Sequence, residues 1–139
     1  MKALLINGSP HEHGCTYTAL RELADTLEAE GIETEIIQAG KTAHACNACA
    51  SCKTTHRCVY DDLVNETAPK LAAADALVIG SPVYYASPAG GAISFMDRLF
   101  FSTPHIDKTM KVGASVVSCR RGGNTATFDV LNKYFTMTG

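Results

Sequence analysis

Two short apolar runs without polar alternation constrain this chain more than any other feature. Ala3-Leu4-Leu5-Ile6 ends at Asn7-Gly8-Ser9-Pro10, and Ala76-Leu77-Val78-Ile79-Gly80 ends at Ser81-Pro82. A strand with one wet face alternates polar and apolar residues. A run that does not alternate fits a strand covered on both faces, as in a parallel sheet. Between the two runs, Thr16 to Glu30 carries Leu20, Leu23, Ala24 and Leu27 at the spacing of a core-facing helical stripe, and Gly31 supplies the stop. Glu33–Ile37 reads as a second strand and Lys111–Val117 as a fourth. Further helices are expected from an Asp61/Asp62 cap to about Ala74, over Ala92–Phe100 and over Thr125–Phe135. Pro69 removes the amide that would bond Asn65, so a kink or split is expected there. The alternation predicts an α/β fold: a doubly wound parallel sheet with right-handed crossovers, in three αβα layers.

A length of 139 residues suits one domain over 1–139. With 46% hydrophobic and 19% charged residues the chain can build a core and is not expected to be disordered. The net charge of -2 implies no polyanion, so no nucleic-acid partner is expected. The first apolar run is far shorter than the roughly 7–15 residues of a secretory segment or the about 20 of a membrane span. The protein is therefore expected to be cytoplasmic, with no membrane partner.

In a parallel α/β sheet, ligands lie beyond the carboxyl ends of the strands. That rule selects three segments. Gly8 to Thr16 joins a strand to a helix, and its hydroxyls and free helix amides suit an anion such as phosphate. It contains neither a dinucleotide fingerprint nor a P-loop, and it equally suits an ordinary turn. Ser81 to Gly91, read as a loop, places Tyr84 and Tyr85 where they can flank a flat aromatic ligand or simply cover the sheet. Ser118-Cys119-Arg120-Arg121-Gly122-Gly123 joins cations to glycines that permit close approach, or forms a solvated basic turn.

The segment of about 38–60 has no periodicity and is longer than most connections. It carries Cys46, Cys49, Cys52 and Cys58 as C-x2-C-x2-C-x5-C. Such crowding suggests a reducing compartment and a metal or redox role rather than a disulfide framework. Three thiolates at this spacing can wrap three corners of a cubane while the fourth reaches the last iron. Reduced, metal-free thiols are the alternative, and zinc is a third, although structural zinc more often takes two separate C-x-x-C knuckles. His44 and His56 are read as loop residues. Cys15 and Cys119 stand apart from the cluster.

Taken in order, GSP-x-x-x-G-x-T at 8–16, the cysteine segment ending in Asp61-Asp62, AD-x-x-x-x-GSPVYY at 74–85 and Asp97-Arg98 resemble the NAD(P)H-dependent FMN reductases. The similarity is closest to their relatives, the iron–sulfur flavoproteins, and covers the whole chain. It implies a flavodoxin-like fold and non-covalent FMN. Ser9, Cys15 and Thr16 would hold the phosphate. His11 stands where the family often has Arg or Lys, which implies weaker phosphate binding or binding that strengthens at low pH. Pro82, Val83, Tyr84 and Tyr85 would line the isoalloxazine ring, the tyrosines on its substrate face. Ser118, Cys119, Arg120, Arg121, Gly122 and Gly123 would lie near its pyrimidine edge, the arginines steadying negative charge on reduced flavin. No catalytic residue is assigned.

The resemblance implies an oxidoreductase taking electrons from NAD(P)H to a flavin, quinone or other small acceptor. Its alternative is an electron carrier with a [4Fe-4S] cluster fed by a ferredoxin-like donor. A homodimer or homotetramer is also implied. A flavodoxin-like sheet has five parallel strands in the order 2-1-3-4-5. Only four can be placed here, so the last strand and helix are expected to be missing.

Overall fold

The computed structural model describes residues 1–138. In chain order the elements are β1 (Lys2–Asn7), α1 (Cys15–Ala29), β2 (Glu33–Gln38), α2 (Cys52–Thr55), α3 (Leu63–Ala73), β3 (Ala76–Tyr84), β4 (Ser87–Pro88), α4 (Gly90–Ser102), β5 (Val112–Ser118) and α5 (Asn124–Thr136). Strands β2, β1, β3 and β5 lie side by side in that order, all parallel. Leu5 is level with Ile36 and with Val78, and Ile79 with Ser115. This is a flavodoxin-like sheet with helices on both faces.

The apolar runs are buried as their pattern requires. Leu4, Ile6, Leu77 and Ile79 face one way and meet Val64 and Leu71 of α3, Phe95, Met96 and Leu99 of α4, and Leu131 of α5. Ala3, Leu5 and Val78 face the other way and meet Leu20 and Ala24 of α1. Ala3 through Ile6 are at most 1% exposed, because each successive side chain finds a helix on its own side. Among the described residues no fifth parallel strand follows α5. β5 pairs with β3 alone, and Val112 at its start is 60% exposed.

Two expectations are corrected. The segment from Ser81 is not loop throughout: β3 continues to Tyr84 and folds back onto β4 as a small antiparallel hairpin, Val83 opposite Pro88 and Tyr84 opposite Ser87. The turn between them is Tyr85-Ala86, with φ of 50° and 58°. Positive φ at both central residues is what a tight I′ turn demands, and glycine or asparagine normally announces it. Neither stands here, so composition conceals the turn. Secondly, of the kink or split expected at Pro69, the split is absent: α3 runs unbroken from Leu63 to Ala73. Pro69 is exposed while Val64, Thr67 and Leu71 are buried, so the core-facing side pins the helix and the lost hydrogen bond opens to solvent.

Candidate functional site

The three segments selected from the sequence meet at the carboxyl edge of the sheet. The amide of Gly8 donates to the Gly80 carbonyl at 2.8 Å, joining the first segment to β3. Thr16 Oγ1 and Ser118 Oγ share a hydrogen bond of 2.8 Å, joining the first segment to the third. Gly123 has φ of 83° and lies so close to Ala86 that a Cβ would stand 2.6 Å from its Cα, bringing the third segment against the hairpin turn. A side chain there would meet both a strained backbone and a steric wall.

Beneath this meeting point Ser9 and Thr16 are buried. Ser9 Oγ accepts from the amide of His11 at 3.1 Å, and the Ser9 amide donates to Asn7 Oδ1 at 3.2 Å. Gln38 Nε2 donates to the Ser9 carbonyl at 2.6 Å and its own oxygen accepts from Asn7 Nδ2 at 2.5 Å. Gly40 passes so close behind that any Cβ would overlap the Ser9 carbonyl. Asn7 and Gln38 therefore brace the first segment, a role that inspection of the sequence missed. Their signal was a pair of polar residues at the ends of neighbouring strands, which register places side by side.

The helices that begin here are open at their N-termini. α1, α4 and α5 have no side-chain cap and no acidic residue in the first turn. Their leading amides and dipoles point out of the strand ends, an arrangement that favours an anion. α3 differs: Asp62 Oδ1 caps it by accepting from the amide of Val64. Tyr85 is fully exposed and Tyr84 is 45% exposed, beside partly buried Pro82 and Val83. These are surfaces on which a flat ring can rest. His11, Cys15, Cys119, Arg120, Arg121 and Gly122 are exposed around the rim, while Ser118 and Gly123 are half-buried. The cradle is built of hydroxyls, free amides and tyrosine faces, and its donor set fits a phosphorylated flavin.

The cysteine segment is arranged differently. Cys46 and Cys49 are exposed; Cys52 and Cys58 are half-buried. Cys52 Sγ lies 3.4 Å from the Phe101 carbonyl, and Cys58 Sγ accepts from Arg98 Nε at 3.2 Å. Hydrogen bonds from the Ser51 amide and hydroxyl hold the Cys49 thiol below its ordinary pKa. Ala48 and Ala50 both have positive φ, 56° and 62°. Among the described residues no group of three or more His, Cys, Asp or Glu side chains is gathered to hold a metal. The thiols suit an iron–sulfur group chemically but are not drawn together as one. A cleft of about 700 Å³ between α4 and α5, lined by Ile93, Phe100, Phe101, Val130, Tyr134 and Met137, touches the second segment only at Ser87 and Pro88.

Comparison with known proteins agrees with the fold. The profile of the NADPH-dependent FMN reductase family matches residues 1–139. An iron–sulfur flavoprotein of Methanocaldococcus jannaschii is 34% identical, covering 97% of this chain and 72% of its own. Among solved structures, RosB with bound 8-demethyl-8-formylriboflavin-5'-phosphate aligns with a TM-score of 0.72 at 18% identity, over 100% of this chain and 60% of its own. A flavodoxin from the domain Archaea aligns with a TM-score of 0.67 at 16% identity, over 100% of this chain and 76% of its own. At such identities the structures speak to the fold.

Proposed function

The chain belongs to the NADPH-dependent FMN reductase family, and we propose that it is a flavoprotein oxidoreductase that binds FMN at the three converging segments and passes electrons from NAD(P)H to a flavin, quinone or other small acceptor. The observation that carries this is the set of three uncapped helix N-termini at the carboxyl edge of the sheet, where Ser9 and Thr16 are buried in the first segment. Bound FMN supplies the hydride and electron chemistry. The protein's part is to hold and orient. The first turn of α1, with Ser9, Cys15, Thr16 and the neighbouring His11, takes the phosphate. Thr16 acts partly through Ser118, since their hydroxyls already share a hydrogen bond. Pro82, Val83, Tyr84 and Tyr85 bear on the ring and exclude water from one face. Cys119, Gly122 and Gly123 admit the pyrimidine edge closely, and Arg120 and Arg121 offer positive charge beside it. The purified protein should be yellow with FMN and should bleach on addition of NADPH. Absence of flavin binding on reconstitution would remove the reading.

A second reading has its own support: the cysteine spacing, and the name of the M. jannaschii relative. Here Cys46, Cys49, Cys52 and Cys58 carry a [4Fe-4S] cluster and a ferredoxin-like protein is the donor. The thiols would have to draw together to hold it. Anaerobic purification yielding about four irons per chain, with no NAD(P)H oxidation, distinguishes this reading. In either case the thiol-rich chain suits the reducing cytoplasm. No helix among the described residues is long and apolar enough to cross a membrane. The family likeness supports assembly as a homodimer or homotetramer, and light scattering measures it.

A further inference from the structure

Arg98 on α4 is the largest fully buried side chain, 1% exposed. A guanidinium keeps its charge in proteins and carries five N–H donors in a rigid fork. All five find acceptors. Nε donates to Cys58 Sγ at 3.2 Å. One terminal nitrogen donates to Asp62 Oδ2 at 2.8 Å and to the His44 carbonyl at 3.4 Å. The other donates to Asp62 Oδ1 at 2.8 Å and to the Tyr60 carbonyl at 3.3 Å. The guanidinium also lies 5.0 Å from the centre of the Tyr60 ring, which stacks on His44 at 4.3 Å.

Three of the five acceptors, on His44, Cys58 and Tyr60, belong to the two ends of the cysteine segment. That segment has no sheet partner and only the four-residue helix α2. Cys58 is gripped from its other side as well: its amide donates to Asn65 Oδ1 at 2.9 Å and its carbonyl accepts from Asn65 Nδ2 at 3.0 Å. A buried charge stripped of partners is costly, so the guanidinium and the segment ends hold each other in place. Cys46 and Cys49, between the ends, remain exposed.

We propose that Arg98 is a positioning residue: a clasp that closes the cysteine segment into a loop and holds the Cys58 sulfur as a preset corner. The two ends then need not find each other when the exposed thiols close on a bound group, because the closure entropy is already met in the fold. A lysine cannot substitute fully, since a compact ammonium has three donors and no planar fork. The clasp deepens the iron–sulfur reading, but its test does not need metal.

Trypsin acting on the folded protein can cut after Arg57, inside the clasp, and after Arg121, outside it; both arginines are exposed. In Arg98→Gln, cleavage after Arg57 relative to that after Arg121 should rise about tenfold, as local opening there becomes easier. Arg98→Lys should give a smaller rise. The double change Arg98→Gln with Asp62→Asn, which removes the half-buried carboxylate left without its partner, should match the Gln variant. A folded variant with the wild-type ratio overturns the proposal. So does a parallel rise at both bonds, or failure of all three variants to fold, since Arg98 would then serve the whole fold and not the segment. Iron and sulfide uptake by the wild-type protein is a separate measurement. Its failure would remove the iron–sulfur reading and leave the clasp decided by the cleavage ratio.

Discussion

Ala86 shows how much a single residue can hide. Its φ of 58° follows Tyr85 at 50°, and together they turn β3 back onto β4. A left-handed conformation costs a residue with a Cβ about 1–2 kcal/mol, and glycine almost nothing. Ala86→Gly should therefore raise stability by up to about 1 kcal/mol after the added entropy of the unfolded chain is subtracted. Thermal melting of the apoprotein measures this, and an unchanged or lowered melting temperature would show that the turn is not strained. The strain sits where Gly123 presses on Ala86, beside the tyrosines proposed to line the flavin ring. Strained backbone concentrates at sites where the surroundings over-determine it. Neither Tyr85 nor Ala86 advertises such a turn, and only the register of Val83 with Pro88 reveals it.

At the level of elements, α3 draws its N-terminal cap and its link to α4 from one carboxylate. Burial works against ionisation of Asp62, but Arg98 and the Val64 amide outweigh it and hold its carboxyl below the usual range. A depressed folded value means that the stabilisation is fully present above the unfolded value of about 3.9 and is lost as pH falls through the lower folded one. The wild-type protein should thus be more stable than Asp62→Asn at pH 7, and the gap should close as pH drops below about 4. Denaturant midpoints across that range measure the gap; a constant gap would mean that the ion pair contributes nothing through its charge. The cap was readable in advance, because Asp61-Asp62 precedes an apolar run. Its partner on α4 was not, because nothing local to residue 62 signals residue 98. The same limit applied to Pro69, whose neighbours in sequence say nothing about which side of α3 faces solvent.

At the level of the whole molecule, the candidate site depends on how tightly separate connections pack. The chain after β2 runs against the first segment at Gly40, and a Cβ there would overlap the Ser9 carbonyl. Gly40→Val should displace Ser9 and weaken FMN binding about tenfold or more, with far less effect on sheet content. Flavin fluorescence titration and circular dichroism give the two readouts, and unchanged affinity would separate Ser9 from the phosphate site. The alternation of apolar runs with one helical stripe was enough to establish the parallel sheet, its two-sided burial and the three segments at its carboxyl edge, since these follow from the period of the side chains along one stretch of chain. The hairpin turn at Tyr85-Ala86, the bond between Thr16 and Ser118, the brace of Asn7 and Gln38 and the five-pronged hold of Arg98 were decided only by the tertiary structure. Each is a meeting of residues far apart in sequence or a conformation imposed by such a meeting, and neighbours along the chain carry no energy that distinguishes it.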